Sequence, residues 1–178
     1  MSFHVRFIAY NTKPKNMSLG ELNIYKFPKG FSLIVDTREQ QSLFNGEINS
    51  LVVINKKLDF GDYSIKGFEE QFCVERKMIS DFYGYIGRER KKTIRKMNEF
   101  KDIILHRGFV GLAIEASEED IMFGYMYSQL SPEVVRQALC SFRVRYGVHI
   151  YFNKSREYLR RWILDNAIKF YNIKRETS

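Results

Sequence analysis

The chain has few cysteines, histidines and prolines and no long apolar run. Its two cysteines, Cys73 and Cys140, show no CxxC spacing and have no histidine nearby, which argues against a zinc site. Cys73 lies in the apolar run Phe72-Cys73-Val74 and Cys140 follows Ala138-Leu139. Both are therefore expected as core thiols in a reducing compartment rather than as a disulfide. No apolar stretch approaches the ~20 residues that a helix needs to span a bilayer. The opening Met1-Ser2-Phe3-His4-Val5-Arg6 lacks a signal-peptide core. No membrane partner is expected, and the expected location is the cytoplasm, or the nucleus in a eukaryote. His4, His106 and His149 share no spacing with one another or with the acids and read as structural. There is no internal repeat and no low-complexity tract.

What is abundant is positive charge. The 29 Lys and Arg residues outnumber the 21 Asp and Glu, giving a formal net charge of +8 and a pI of about 9.4. That balance favours an anionic partner, and nucleic acid gains as the membrane recedes. With 178 residues, 44% of them hydrophobic, the chain can bury the core of one domain plus an appendage.

The appendage is expected at residues 1–29. Phe3, Val5 and Phe7 alternate with other residues, a polar break follows at Asn11–Asn16, and Leu22, Ile24 and Tyr25 resume, which reads as two strands joined by a loop. The main domain, residues 30–178, reads as a mixed α/β fold, with a central sheet covered by helices. Strands are expected at Phe31–Val35, Leu51–Ile54, Asp59–Ile65, Gln71–Glu75, Phe109–Glu115 and Val148–Phe152. The third and fourth read as an antiparallel pair. Helices are expected at Ser80–Tyr85 and from Arg88 to His106. Another runs from Ser131, with Ser as N-cap and Pro at the first position, to Tyr146 before Gly147. A last helix over 155–173 presents Tyr158, Trp162 or Ile163, Ala167 and Phe170 on one side.

The most informative stretch is Phe60-Gly61-Asp62-Tyr63 followed, after the run to Val74, by Glu75-Arg76-Lys77-Met78-Ile79-Ser80-Asp81. Phosphodiester hydrolysis needs an in-line water and shielding of the charge growing on phosphorus, and a divalent metal supplies both. Mg2+, or Mn2+, accepts one or two carboxylates and keeps waters and substrate phosphate as further ligands. Asp62 and Glu75 on neighbouring strands meet that need. Lys77, two residues beyond Glu75, projects from the same face of an extended segment and reaches the same pocket. The carbonyl of Arg76 is a further candidate ligand, while its side chain points the other way. As isolated fragments these residues also fit turn chemistry at Gly61-Asp62, a surface ion pair, and a helix cap at Ser80 or Asp81.

As an ordered set, Gly61-Asp62 and Glu75-Arg76-Lys77-x-x-x-Asp81 resemble the GD…ERKxxxD signature of the XPF/Mus-type structure-specific endonucleases, a branch of the restriction-endonuclease-like fold. Upstream, Ile34-Val35-Asp36-Thr37-Arg38-Glu39 resembles the family's Val-Asp-x-Arg-Glu element, and downstream Leu112-Ala113-Ile114-Glu115 resembles its Leu-x-Ile-Glu strand. The resemblance covers roughly residues 31–152. It implies metal ligation by Asp62 and Glu75, with Asp36 and Glu39 at the acidic rim as direct or water-mediated ligands and Lys77 as the catalytic lysine. Arg76 and Asp81 become supporting groups. Arg38 faces the scissile phosphate or braces Asp36. Asp36 and Glu39 also fit an N-capping pair, and Glu115 fits a strand end or a supporting role. Carboxylates crowded in one pocket repel, so without metal at least one resists ionising, and activity is expected to need divalent metal and to fall at low pH.

Arg88, Arg90, Lys91, Lys92, Arg95 and Lys96 crowd one helix, with Ile94, Met97 and Phe100 as its apolar side, and read as a phosphate-binding ridge. The resembling family also carries a basic residue at the place of Arg88. Lys154, Arg156, Arg160 and Arg161 are either DNA-facing or solvated. Tyr125 and Tyr127 stand in a Met- and Tyr-rich loop and fit base stacking or a subunit interface. The resemblance implies pairing into a homodimer through the helix from Ser131 and the last strand. It also implies roles in DNA repair or recombination. Tandem helix–hairpin–helix modules usual in that family have no counterpart after residue 115, so a partner protein, dimerisation or the N-terminal strands are left to select the DNA structure. The functional readings are a metal-dependent endonuclease on branched, flap or junction DNA, a resolvase or nickase of the same fold, and a catalytically inactive DNA-binding or dimerisation subunit. The intact Asp62, Glu75 and Lys77 speak against the last.

Overall fold

Three consecutive aliphatic residues, Leu33–Val35, form β1 and are all buried, as suits a strand covered on both faces. This is seen in a computed structural model of the chain, which describes residues 25–45, 48 and 50–177. The expected N-terminal strand pair lies almost wholly outside the described residues. Within them, Tyr25 and Phe27 stack toward Phe31, which meets Tyr171 edge-on.

The elements follow in the expected alternation. β2 is Val53–Asn55, β3 Tyr63–Ile65 and β4 Phe72–Met78; α1 is Ile79–Ile86 and α2 Arg90–Leu105; β5 is Phe109–Glu115, α3 Glu118–Phe123, α4 Pro132–Val144, β6 His149–Phe152 and α5 Arg156–Glu176. The strands form one mixed sheet in the order β2-β1-β3-β4-β5-β6. β1 pairs parallel with β2 and antiparallel with β3; β3 pairs antiparallel with β4, and β4, β5 and β6 run parallel. β3 alone therefore opposes the other five.

Period-two alternation along β4 splits its side chains between the faces. Cys73 joins the layer made with Phe82, Met97, Phe100 and Leu139 from α1, α2 and α4. Phe72 and Val74 join Leu33, Tyr63, Ala113 and the α5 residues Ile163 and Ala167 on the other side. Burying each large side chain of these layers contributes roughly 1.5–3 kcal/mol.

Local signals explain the boundaries. Ser131 caps α4 by accepting from the Val134 amide, with Pro132 in the first turn. Gly147, at φ +70, ends the segment after α4 in the left-handed region that glycine favours.

Several expectations are corrected. The strand expected from Asp59 begins only at Tyr63, because residues 59–62 bend and only Asp62, at their end, is tied by backbone hydrogen bonds to Asp36 and Val74. The Met- and Tyr-rich loop, residues 121–127, begins inside a helix, α3, which a Ser117–Asp120 capping box opens. On α2 the inner face is Thr93, Met97, Phe100 and Ile103, and Ile94 is exposed. α5 turns Leu159, Ile163, Leu164, Ala167 and Tyr171 inward, so Tyr158 is not on its buried side. Cys140 is exposed rather than a core thiol, whereas Cys73 is fully buried. Among the described residues no helix is long and apolar enough to cross a membrane.

Candidate active site

Gly61 brings Asp62 against β4. It sits at φ +70, and a Cβ there would lie 2.5 Å from the Cys73 Sγ and 2.9 Å from the Val74 carbonyl oxygen. Only glycine lets the turn approach that closely. The Asp62 amide donates to the Val74 carbonyl at 2.9 Å, and the Arg76 amide donates to Asp62 Oδ2 at 2.7 Å. The backbone of Asp62 is thus tied to β4 and its carboxylate is held by the next amide along that strand, immediately before β3 begins.

Glu75 and Lys77 lie on the face of β4 covered by α1 and α2. Glu75 is 2% exposed. Its Oε1 is 2.6 Å from Lys77 Nζ and its Oε2 is 2.6 Å from Lys96 Nζ, contributed by α2. The Lys77 ammonium also sits 5.2 Å from the centroid of the Tyr85 ring on α1. The Tyr85 hydroxyl is buried and has no hydrogen-bond partner among the described residues.

These contacts set the protonation states. Burial and the neighbouring Glu75 charge push Asp62 up to about 7, against the Arg76 amide and Lys77, which pull it down. For Glu75, burial opposes ionisation, but the Lys77 and Lys96 ammonium groups outweigh it and hold the carboxyl below its ordinary value. Lys77 is raised: burial disfavours its charge, and Glu75 more than restores it. One carboxylate is therefore neutralised by two ammonium groups, while its neighbour resists ionisation.

Arg76, between Glu75 and Lys77, projects to the opposite face. Its Nη1 donates to Glu115 Oε2 at 2.7 Å and its Nη2 to Glu39 Oε1 at 3.1 Å. Arg156 of α5 donates to the same Glu115 oxygen at 3.0 Å and to the carbonyl of Gln41 at 2.6 Å, and Arg160 donates to the carbonyl of Leu43 at 2.6 Å. This network ties the 36–45 loop to β4, β5 and α5. Glu115 thus has the supporting role among its two readings.

Asp36, at the end of β1, accepts from Arg38 Nε at 2.8 Å and Nη2 at 2.9 Å and from the Leu58 amide at 2.6 Å. Burial works against ionisation, but these donors hold it down to about 2. The Arg38 contacts are those of a brace. No helix follows Asp36, so it closes a turn on the Arg38 amide rather than capping a helix.

Of the sequence candidates, Asp62, Glu75 and Lys77 are brought together. Asp36, with Arg38, and Glu39, with Arg76, are engaged in their own pairs. Asp81 lies exposed in the first turn of α1, where its carboxylate accepts from the Ser80 hydroxyl at 3.5 Å. Arg90, Lys91, Lys92 and Arg95 are exposed on α2, with Arg88 just before it. Lys96 departs from that ridge and turns inward to Glu75. Its position, three residues after Thr93 and four before Phe100, is the signal that places it beside the buried face. The second basic group is not a free face: Lys154 pairs with Asp120, Arg161 with Asp165, and Arg156 and Arg160 hold the loop.

The donor set suits a hard cation. Asp62 Oδ1 accepts no hydrogen bond among the described residues, and Asp62 and Glu75 offer only oxygen. In an extended strand a residue's N–H and C=O leave on the same side, so the Arg76 carbonyl shares the edge on which its amide meets Asp62. Among the described residues no group of three or more His, Cys, Asp and Glu side chains is arranged to hold a metal. A cation here would therefore rest on two carboxylates, a carbonyl, water and substrate, as Mg2+ or Mn2+ accepts and Zn2+ does not favour.

The family model for the ERCC4 domain matches residues 35–165. Among solved structures, XPF from Aeropyrum pernix shares the fold at a TM-score of 0.58 and 19% identity, covering 76% of this chain and 59% of that one. XPF from Aeropyrum pernix in complex with DNA matches at a TM-score of 0.58 and 20% identity, covering 80% and 66%. The chain thus spans less than two thirds of either structure. No curated protein matches the chain.

Proposed function

The chain belongs to the ERCC4 domain family, and from that premise we propose that it is a divalent-metal-dependent endodeoxyribonuclease acting at branched, flap or junction DNA. The family and the fold it shares with XPF support a nuclease-type, DNA-processing role. The observation that carries the finer reading is the convergence of Asp62, just before β3, with Glu75 and Lys77 on β4.

Asp62, Glu75 and the Arg76 carbonyl would hold the cation, which when bound shields phosphate charge and lowers the pKa of a water. Lys77 remains an ammonium, held by Glu75, and contributes positive charge beside the scissile phosphate. Arg90, Lys91, Lys92 and Arg95 bind backbone phosphate along α2 and supply affinity without sequence preference. Recognition of the DNA structure, a homodimeric state and a targeting partner belong to the same proposal, on the resemblance alone.

The test is cleavage of a 3′ flap, a nicked duplex and a four-way junction with Mg2+, with Mn2+ and with chelator. Cleavage of the branched substrates with metal, abolished by chelator and by Glu75→Gln, is expected, with DNA binding largely retained in the variant. Equal products from the wild type and Glu75→Gln would overturn the assignment of the site.

A further inference from the structure

Resting on that cation site, we propose that Lys96 is a built-in counter-cation of Glu75 that an incoming divalent cation displaces. The family signature contains Lys77 but not Lys96, and the basic run on α2 does not by itself say which carboxylate a lysine at the border of the buried face would meet. The geometry does. A carboxylate that is 2% exposed cannot stay ionised alone, and here each oxygen has its own ammonium group at 2.6 Å. Two ammonium groups match the charge of one divalent cation. Both cannot remain at those oxygens while a cation binds there, because like charges at one carboxylate repel.

The two lysines are not equally free to leave. Lys77 stands on a strand bonded to β5 and rests against the Tyr85 ring at 5.2 Å. Lys96 reaches in from a helix surface on a flexible stem that passes the Phe100 ring, with its ammonium 5.7 Å from the centroid. One helical turn back is Lys92, which is exposed on the basic face. Release of Lys96 from Glu75 therefore moves a positive charge from the cation pocket to the surface where phosphate would arrive. Lys96 is a positioning residue: it holds Glu75 in the metal-free protein and leaves when the metal takes over that task.

The experiment is calorimetric titration of the full chain, without DNA, with Mn2+. Lys96→Met keeps the stem and removes the competing charge, and Mn2+ is expected to bind about tenfold more tightly, the equivalent of one charge-assisted contact no longer broken. Lys96→Arg keeps the charge and should bind as the wild type does. In wild-type protein titrated with Mg2+, the side-chain ammonium resonance of Lys96 should move toward that of an exposed lysine while that of Lys77 stays perturbed. Unchanged or weaker Mn2+ binding by Lys96→Met, or a Lys96 resonance that ignores Mg2+, overturns the exchange and leaves the cation site standing. If wild type and Lys96→Met both bind no Mn2+, the cation site itself falls, and the exchange with it.

Discussion

Replacing Asp62 by Asn should make the metal-free protein more stable while removing cleavage. Asp62 is carried from 3.8 in the unfolded chain to about 7 in the folded one, first by burial and then by the Glu75 charge. At 1.36 kcal/mol per pH unit, that displacement corresponds to roughly 4 kcal/mol of unfavourable charge in the folded state above pH 7. Relaxation and the sharing of charge with Glu75 halve this to about 2 kcal/mol. The sign follows from the raised value: the proton-linked stability is complete below the unfolded value near 4 and is lost as pH rises through about 7. Asn keeps an oxygen for the Arg76 amide and carries no charge at any pH. The variant should therefore match the wild type near pH 4 and melt about 4–8 °C higher near pH 8 with chelator present. Mg2+ should raise the wild-type melting temperature and leave that of Asp62→Asn unmoved, closing the gap. Scanning calorimetry across pH measures both. A variant no more stable than the wild type near pH 8 without metal would refute the claim that repulsion is stored at this site.

Asp36→Asn removes a charge that Arg38 and the Leu58 amide favour, so it should destabilise by about 1 kcal/mol at neutral pH, discounted for the exposed Arg38. Because Asp36 is held down to about 2, this contribution exists above the unfolded value near 4 and fades as pH falls through about 2. Urea denaturation at neutral pH and near pH 3 checks it, and a pH-independent difference would count against the ion pair as the cause. Arg76→Leu leaves Glu39 and Glu115 without their shared partner and should destabilise by roughly 3–5 kcal/mol. The midpoint of urea unfolding reads this, and a loss below about 1 kcal/mol would show that the network is not a structural tie.

Legibility in the sequence tracked the range of the interaction. Asp62, Glu75 and Lys77 were readable because an i, i+2 pair on one strand and a facing turn are local geometry. The α4 helix was readable from Ser131, Pro132 and Gly147 for the same reason. For Lys96 the spacing from Thr93 and Phe100 marks the border of the buried face, but its partner lies 21 residues away, and only the docking of α2 on the sheet brings the two together. Arg76, Glu39, Glu115 and Arg156 come from four separate segments, so no spacing rule joins them. The sequence marks Ile163 and Ala167 of the inner face of α5 correctly but takes Tyr158 for Leu159, because apolar residues fall on neighbouring positions there, as they do at Trp162 and Ile163. Helical period alone leaves such a stripe ambiguous by one residue. The short α3 carries its own capping-box signal, Ser117 to Asp120, just before the Met- and Tyr-rich segment.

Three successive residues, Glu75, Arg76 and Lys77, straddle the sheet, the outer two toward the pocket and the middle one into the scaffold behind it. A register shift of this strand by one position would turn the guanidinium into the pocket and set Glu75 among Glu39 and Glu115. The site's chemistry and its scaffold are thus written in the same three letters.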